Sequence, residues 1–235
     1  IWRDETSALL ATQNALRLAK KNSRPVHILH VSTAEEMDLL ARHKDIATVE
    51  VTPQHLTLNA PECYEKLGTF AQMNPPIRSK HHQEALWKAL KAGVVDVMGS
   101  DHAPHTIEEK QGTYPNTPSG MPGVQTLAPI MLNHASKGRL SYFDINRLLA
   151  VNPARIWRLI GRGFIHPGFE ATFSIFDLKR TETVTAEWLK SKCGWSPFEG
   201  DKFTGWPIHS LIRGEFVLKN ETLVSRQGRA FKFEL

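Results

Sequence analysis

The chain is predicted to be an α/β protein built on a parallel sheet, with a smaller strand-rich portion at its C-terminal end. Three observations predict this. Helical and extended segments alternate through the first hundred residues. The extended segments are continuous apolar runs, as expected for strands covered on both faces. Beyond residue 160 the pattern changes to Gly, Pro and short alternating runs, which are of antiparallel type.

Taken in order, residues 5–21 place Leu9, Leu10, Leu16, Leu18 and Ala19 on a helical repeat and end in Lys20 and Lys21. Cations in a last turn suit the helix dipole. Residues 25–31 form a short apolar run of buried-strand type, and Ser32 and Thr33 follow as N-cap candidates for a helix over 34–42. Glu35 and Glu36 lie in its first turn, where anions are favoured. A second strand is expected at 47–51, a helix at 82–92, and a third buried strand at 94–99 that runs into Ser100 and Asp101. Two more helices are expected at 124–136 and 142–159. A boundary near residue 160 then separates 1–160 from a β-rich segment at 161–235, with strands expected at 171–177, 210–213, 215–218 and 222–224.

Composition excludes several classes. The 29 basic and 24 acidic residues give a net charge of +5, but the cations are scattered. There is no basic stripe with interleaved aromatics, so a nucleic-acid partner is not expected. No apolar run approaches the ~20 residues needed to span a bilayer, so no membrane role is expected. Cys63 and Cys193 are too few and too distant for a disulfide framework, which fits a reducing cytoplasm. The opening Ile1-Trp2-Arg3 has no initiator Met and no signal-peptide layout, and reads as an internal starting point.

In parallel α/β sheets chemistry collects at the C-terminal ends of strands. Here His30 ends the first strand, Thr52 to His55 follow the second, and Asp101 follows the third. His27 and His30 are three apart, so strand alternation puts them on opposite sides and the end position favours His30. A lone strand histidine is more often structural than a metal ligand, and an isolated Asp at a strand end is more often a turn cap. The company changes that reading. Asp101, with His102 and His105 in the same loop, can bind a cation and accept a proton.

The runs HILHVST (27–33), EVTPQHL (50–56), NPPIR (74–78), DHAPHTIEEK (101–110), SGMPG (119–123) and NPAR (152–155), with the Gly-rich entry at 161–172, stand in the order found in class I dihydroorotases. The chain resembles the C-terminal portion of that family. The resemblance implies late strands of a (β/α)₈ TIM-like barrel followed by a small β-rich domain, and a cytoplasmic enzyme of pyrimidine synthesis. It implies a binuclear zinc centre that interconverts N-carbamoyl-L-aspartate and L-dihydroorotate. Carried over by position, His30 and Asp101 resemble zinc ligands, with Asp101 also the catalytic acid/base. Asn74, His105 and Gly120 resemble substrate contacts. Ser119 and Gln54 depart from the family pattern, and neither Gln54 nor the retained His55 is assigned to the site. The family's remaining zinc ligands are expected upstream of residue 1, so this portion alone is expected to be inactive. A homodimer or a transcarbamoylase is the implied partner. Two alternatives stand beside this reading: a hydantoinase or dihydropyrimidinase, and a catalytically silent dihydroorotase-like scaffold.

Overall fold

The computed structural model describes residues 3–225 and 228–233. Its contacts divide the chain into two compact units, one of Ile1–Leu127 with Thr185–Glu199 and the other of Ala128–Val184 with Gly200–Leu235.

The first unit starts with helix α1, Glu5–Asn22, whose N-terminus is fixed by Asp4 accepting from the Ser7 backbone N–H at 2.7 Å. Strands β1 (Val26–Ile28), β2 (Ala47–Val51) and β3 (Val97–Met98) form a parallel sheet in the order β1-β2-β3. The register pairs His27 with Thr48 and Glu50 with Val97. Ala47, Val49 and Val51 are fully buried on one face of β2, while Thr48 and Glu50 are half-buried on the other. That is the period-2 alternation of a pleated strand.

Helix α2, Ala34–Ala41, is capped by Thr33, whose hydroxyl accepts from the Glu36 N–H at 3.2 Å. Short helices α3 (Pro53–Thr57) and α4 (Glu62–Leu67) lead to α5, Lys80–Lys91. In α5, His82, Gln83, Leu86, Trp87, Ala89 and Leu90 are buried, the i, i+4, i+7 stripe of a helix lying on a core. Helix α6, Ile107–Lys110, is closed by a reciprocal capping box between Thr106 and Glu109.

In the second unit, α7 (Leu127–Ser136, which begins at the last residue of the first unit), α8 (Tyr142–Asn146) and α9 (Asn152–Ile156) are joined by a π-helical turn at Arg147–Val151. They precede an antiparallel sheet, β4-β5-β6-β7, of Phe173–Thr183, Lys202–Ile212, Glu215–Lys219 and Thr222–Leu223. Gly205 lies at φ +99 with its Cα against Leu132, where an added Cβ would sit 2.5 Å from the Leu132 Cβ. The compositional change near residue 160 falls between α9 and β4. No helix among the described residues is long and apolar enough to cross a membrane.

Candidate active site

β1 ends at Ile28, two residues before His30, and β3 ends at Met98, three before Asp101. The backbone continues to bond the neighbouring strand past both ends: Val31 N donates to Glu50 O at 2.9 Å and Gly99 N to Val51 O at 3.0 Å. Between these anchors the chain turns sharply. His30 has φ 41 and Asp101 φ 43, the left-handed region that costs a non-glycine residue roughly 1–2 kcal/mol. Two residues singled out from the sequence thus both occupy strained backbone at strand C-termini, as functional residues often do.

Electrostatics ties them together. Burial raises the Asp101 carboxyl above its usual range, His30 pulls it back down, and Glu50 pushes it up again. His55, fully inside the fold, is lowered to about 4, chiefly by burial and in part by the charge of His30. His30, Asp101, Glu50 and His55 therefore share one electrostatic neighbourhood.

Two of these were given no role from sequence. Glu50 sits where a β2 side chain meets β3: a Cβ on Gly99 would lie 2.3 Å from Glu50 Oε1, so the glycine makes room for the carboxylate. His27 joins it, with Nδ1 2.8 Å from Thr48 Oγ1 and Nε2 3.4 Å from Glu50 Oε2. The opposite-side argument for His27 and His30 presumed a strand continuing to residue 30. The strand stops at Ile28 and His30 turns left-handed, so alternation does not set where the His30 ring points, and His27 lies on the Glu50 face.

His55 has a legible task. A carbonyl only accepts, so His55 Nε2–H donates to Pro75 O at 3.1 Å, and Nδ1 accepts from the Thr52 hydroxyl at 2.8 Å. The neutral imidazole, kept neutral by burial, anchors the loop that carries Asn74. Asn74 itself is exposed. Gln54 donates from Nε2 to Ser100 O at 2.9 Å, bracing the residue before Asp101, and its Oε1 is buried without a hydrogen-bond partner among the described residues. Both residues lie in the 50–56 run that the sequence marked, but a buried amide and a neutral ring give no periodic signal.

Gly120 and His105 are brought side by side. At φ +143 a Cβ on Gly120 would stand 2.4 Å from Ala103 Cβ and 3.3 Å from His105 Cδ2. Ala103 N donates to Met121 O at 3.0 Å, and Gly120 N to Gln72 O at 2.9 Å. Beneath them Lys110, completely buried, directs Nζ to the carbonyls of Gln72 (2.9 Å), Pro118 (2.9 Å) and Gly120 (3.1 Å). His105 is held from two sides, its carbonyl by Trp195 Nε1 at 2.8 Å and its ring 3.6 Å from Glu109. His102 is turned away from that task, since its Nδ1 accepts from the backbone N–H of Gly123 at 3.1 Å.

Residues 16–217 match the profile described as the amidohydrolase family. Among curated proteins, the dihydroorotase of Archaeoglobus fulgidus is 38% identical over 221 residues, which are 94% of this chain and 51% of that protein. The dihydroorotase of Halobacterium salinarum is 37% identical, over 97% of this chain and 53% of its own length. The chain thus spans about half the length of the curated relatives it matches. Among solved structures, the L-hydantoinase (dihydropyrimidinase) from Arthrobacter aurescens superposes with a TM-score of 0.88 at 30% identity, covering 93% of this chain and 50% of that one. The inactive dihydroorotase-like domain of a CAD-like multifunctional protein from Chaetomium thermophilum superposes at 0.67 with 21% identity, over 89% of this chain and 56% of that one, a likeness of fold alone.

Proposed function

The chain belongs to the amidohydrolase family, and from that premise we propose that it is the C-terminal part of a dihydroorotase, in which residues 1–160 carry the late part of the barrel and 161–235 the β-rich segment. The observation that carries this reading is that His30 and Asp101 follow the ends of two strands of one sheet, both with left-handed backbone, and that the charge of His30 acts on the Asp101 carboxyl. The ordered sequence runs and the archaeal relatives support the substrate pair, N-carbamoyl-L-aspartate and L-dihydroorotate.

An imidazole and a carboxylate are the donor types that zinc takes, so His30 and Asp101 fit the family's metal as two of its ligands. Bound there, zinc would supply Lewis-acid polarisation of the scissile carbonyl. Asp101 is a carboxylate that can accept and return a proton; burial raises its carboxyl, His30 lowers it and Glu50 raises it again. In ring opening it takes a proton from the attacking water and delivers it to the leaving nitrogen; in ring closure it starts protonated. The two directions should therefore have opposite pH dependence. His105, Asn74 and the Gly120 backbone would hold the substrate's carboxylate, with His55 positioning the Asn74 loop.

The test is Asp101→Asn in the complete enzyme, assayed in both directions. Asparagine still offers an oxygen but carries no proton, so both rates should fall by roughly 10²–10⁴-fold. Activity within about tenfold of wild type would end the role proposed for Asp101. A second reading, hydantoinase or dihydropyrimidinase, is favoured by the likeness to the L-hydantoinase structure. Assaying hydantoin and dihydrouracil opening beside dihydroorotate opening separates the two. Retention of both His30 and Asp101 weighs against a silent scaffold.

A further inference from the structure

We propose that Glu35, His81 and His82 form a second divalent-metal site, of the two-imidazole, one-carboxylate kind that takes zinc-class ions, using neither His30 nor Asp101. Glu35 is the second residue of α2, and His81 and His82 are the second and third of α5. One ligand atom from each lies within 4.8 Å of the other two. Two ligands on one tetrahedral zinc, each about 2.0–2.2 Å from it, are separated by about 3.4 Å. His82 Nδ1 and Glu35 Oε2 stand 3.7 Å apart, close to that spacing without rearrangement. His81 and Glu35 are exposed, so the adjustment needed to close the set falls on side chains free to move.

The placement of His82 is what makes the cluster a candidate ligand set. The Ala34 backbone N–H donates to its Nδ1 at 3.1 Å, which puts the lone pair on Nδ1 and the proton on Nε2. Nδ1 is the nitrogen on the Glu35 side. Nε2–H faces Glu5 Oε1 at 3.9 Å, placing a carboxylate behind the ring, the arrangement that commonly orients metal-bound histidines. His82 is buried, so its ring is held in place on α5. On loading, the ion replaces Ala34 N–H at Nδ1. That N–H belongs to the first turn of α2, one of the donors with no intrahelical partner, and can turn to water. An ion held here ties α2 to α5 through Glu35 on the one and His81 and His82 on the other.

Equilibrium dialysis of the metal-stripped protein against Zn²⁺, with Zn²⁺ melting shifts, tests this. Wild type should bind an equivalent that Asp101→Asn and His30→Ala retain and that Glu35→Gln/His81→Ala weakens by about tenfold or more. Zn²⁺ should raise the melting temperature of wild type and leave that of the double variant unchanged. Both altered residues are exposed, so the double variant should match wild type in EDTA by circular dichroism and melting. Should it not, His81→Asn alone replaces it and is held to the same tenfold loss. Equal Zn²⁺ affinity and stoichiometry in wild type and the Glu35/His81 variant would overturn the site, as would a wild type that binds no zinc beyond what Asp101→Asn loses.

Discussion

Lys110 makes the sharpest test of how the Gly120 loop is built. Its ammonium is completely enclosed and points three N–H groups at three carbonyls, those of Gln72, Pro118 and Gly120. Lys110→Met keeps the stem and removes the donors. Hydrogen bonds to a charged group contribute roughly 1.5–3 kcal/mol each, and stranded buried acceptors cost about 1–3 kcal/mol. Against this, methionine avoids burying a charge, which is why wild-type Lys110 is lowered to about 8 by burial. Gln72 O retains the Gly120 N–H, so two carbonyls rather than three are left bare. The net expectation is a loss of about 2–4 kcal/mol at pH 7, read from urea unfolding. The pH dependence gives the sign. With the folded pKa below the unfolded value, the unfolded chain holds more protons between about 8 and 10.5, so wild type gains stability as pH rises through that window. The methionine variant lacks this gain. The gap between the two proteins should therefore widen from pH 8 to 10.5, by at most about 3 kcal/mol. A variant within about 1 kcal/mol of wild type at pH 7, with a gap that stays flat or narrows as pH rises, would refute the clamp.

Two further expectations follow from the same geometry. Gly120→Ala places a methyl 2.4 Å from Ala103 Cβ at φ +143, so it should destabilise by roughly 2–4 kcal/mol in thermal or urea unfolding; a change below about 0.5 kcal/mol would show that the loop simply moves aside. His55, held near 4 by burial, is neutral in the fold and must charge on unfolding in acid, so its contribution is present above about pH 6.5 and lost as pH falls toward 4. His55→Gln should be less stable at neutral pH and should have a flatter acid limb, and an acid limb as steep as wild type would count against the assignment.

Much of the scaffold was legible because it depends on periodicity. The apolar runs at 25–31, 47–51 and 94–99 became β1, β2 and β3, and the helical repeat over 5–21 became α1. β3 is shorter than its run because only Val97 and Met98 pair within the ladder, although Asp96 and Gly99 still bond β2. Helices α3, α4 and α6 carried no repeat long enough to read, and their existence rests on caps such as Thr52 and Thr106. β5 was read only at its end, because Gly205 and Pro207 interrupt the strand pattern before it. The expected helix over 142–159 is helical from Tyr142 to Ile156, with a π-helical stretch at Arg147–Val151 that the repeat does not announce. In the site, strand-end position marked His30 and Asp101. What sequence could not carry was Glu50, half-buried on a strand whose other face is the core, and the bracing by His55 and Gln54, which depend on loops converging from residues 20 to 46 positions away.

That bracing explains how two strained residues persist. A left-handed His30 and Asp101 together cost roughly 2–4 kcal/mol, and each lies in a loop flanked by bonds that would break if it relaxed. Val31 N is tied to Glu50 O, Gly99 N to Val51 O, and Ser100 O to the Gln54 amide. Gly123 packs against that last bond so closely that a Cβ there would lie 2.5 Å from both Gln54 Nε2 and Ser100 O. Relaxing Asp101 toward an ordinary turn would pull Ser100 O from the Gln54 amide, whose Oε1 is buried without a hydrogen-bond partner among the described residues. The backbone at Asp101 is thus held by neighbours on β2, α3 and the 119–123 loop. Its protonation is a separate matter, set by burial and Glu50 against His30. Geometry and proton affinity therefore rest on different residues, and a substitution at Gln54 should displace Asp101, whereas one at Glu50 should shift its titration and leave it in place.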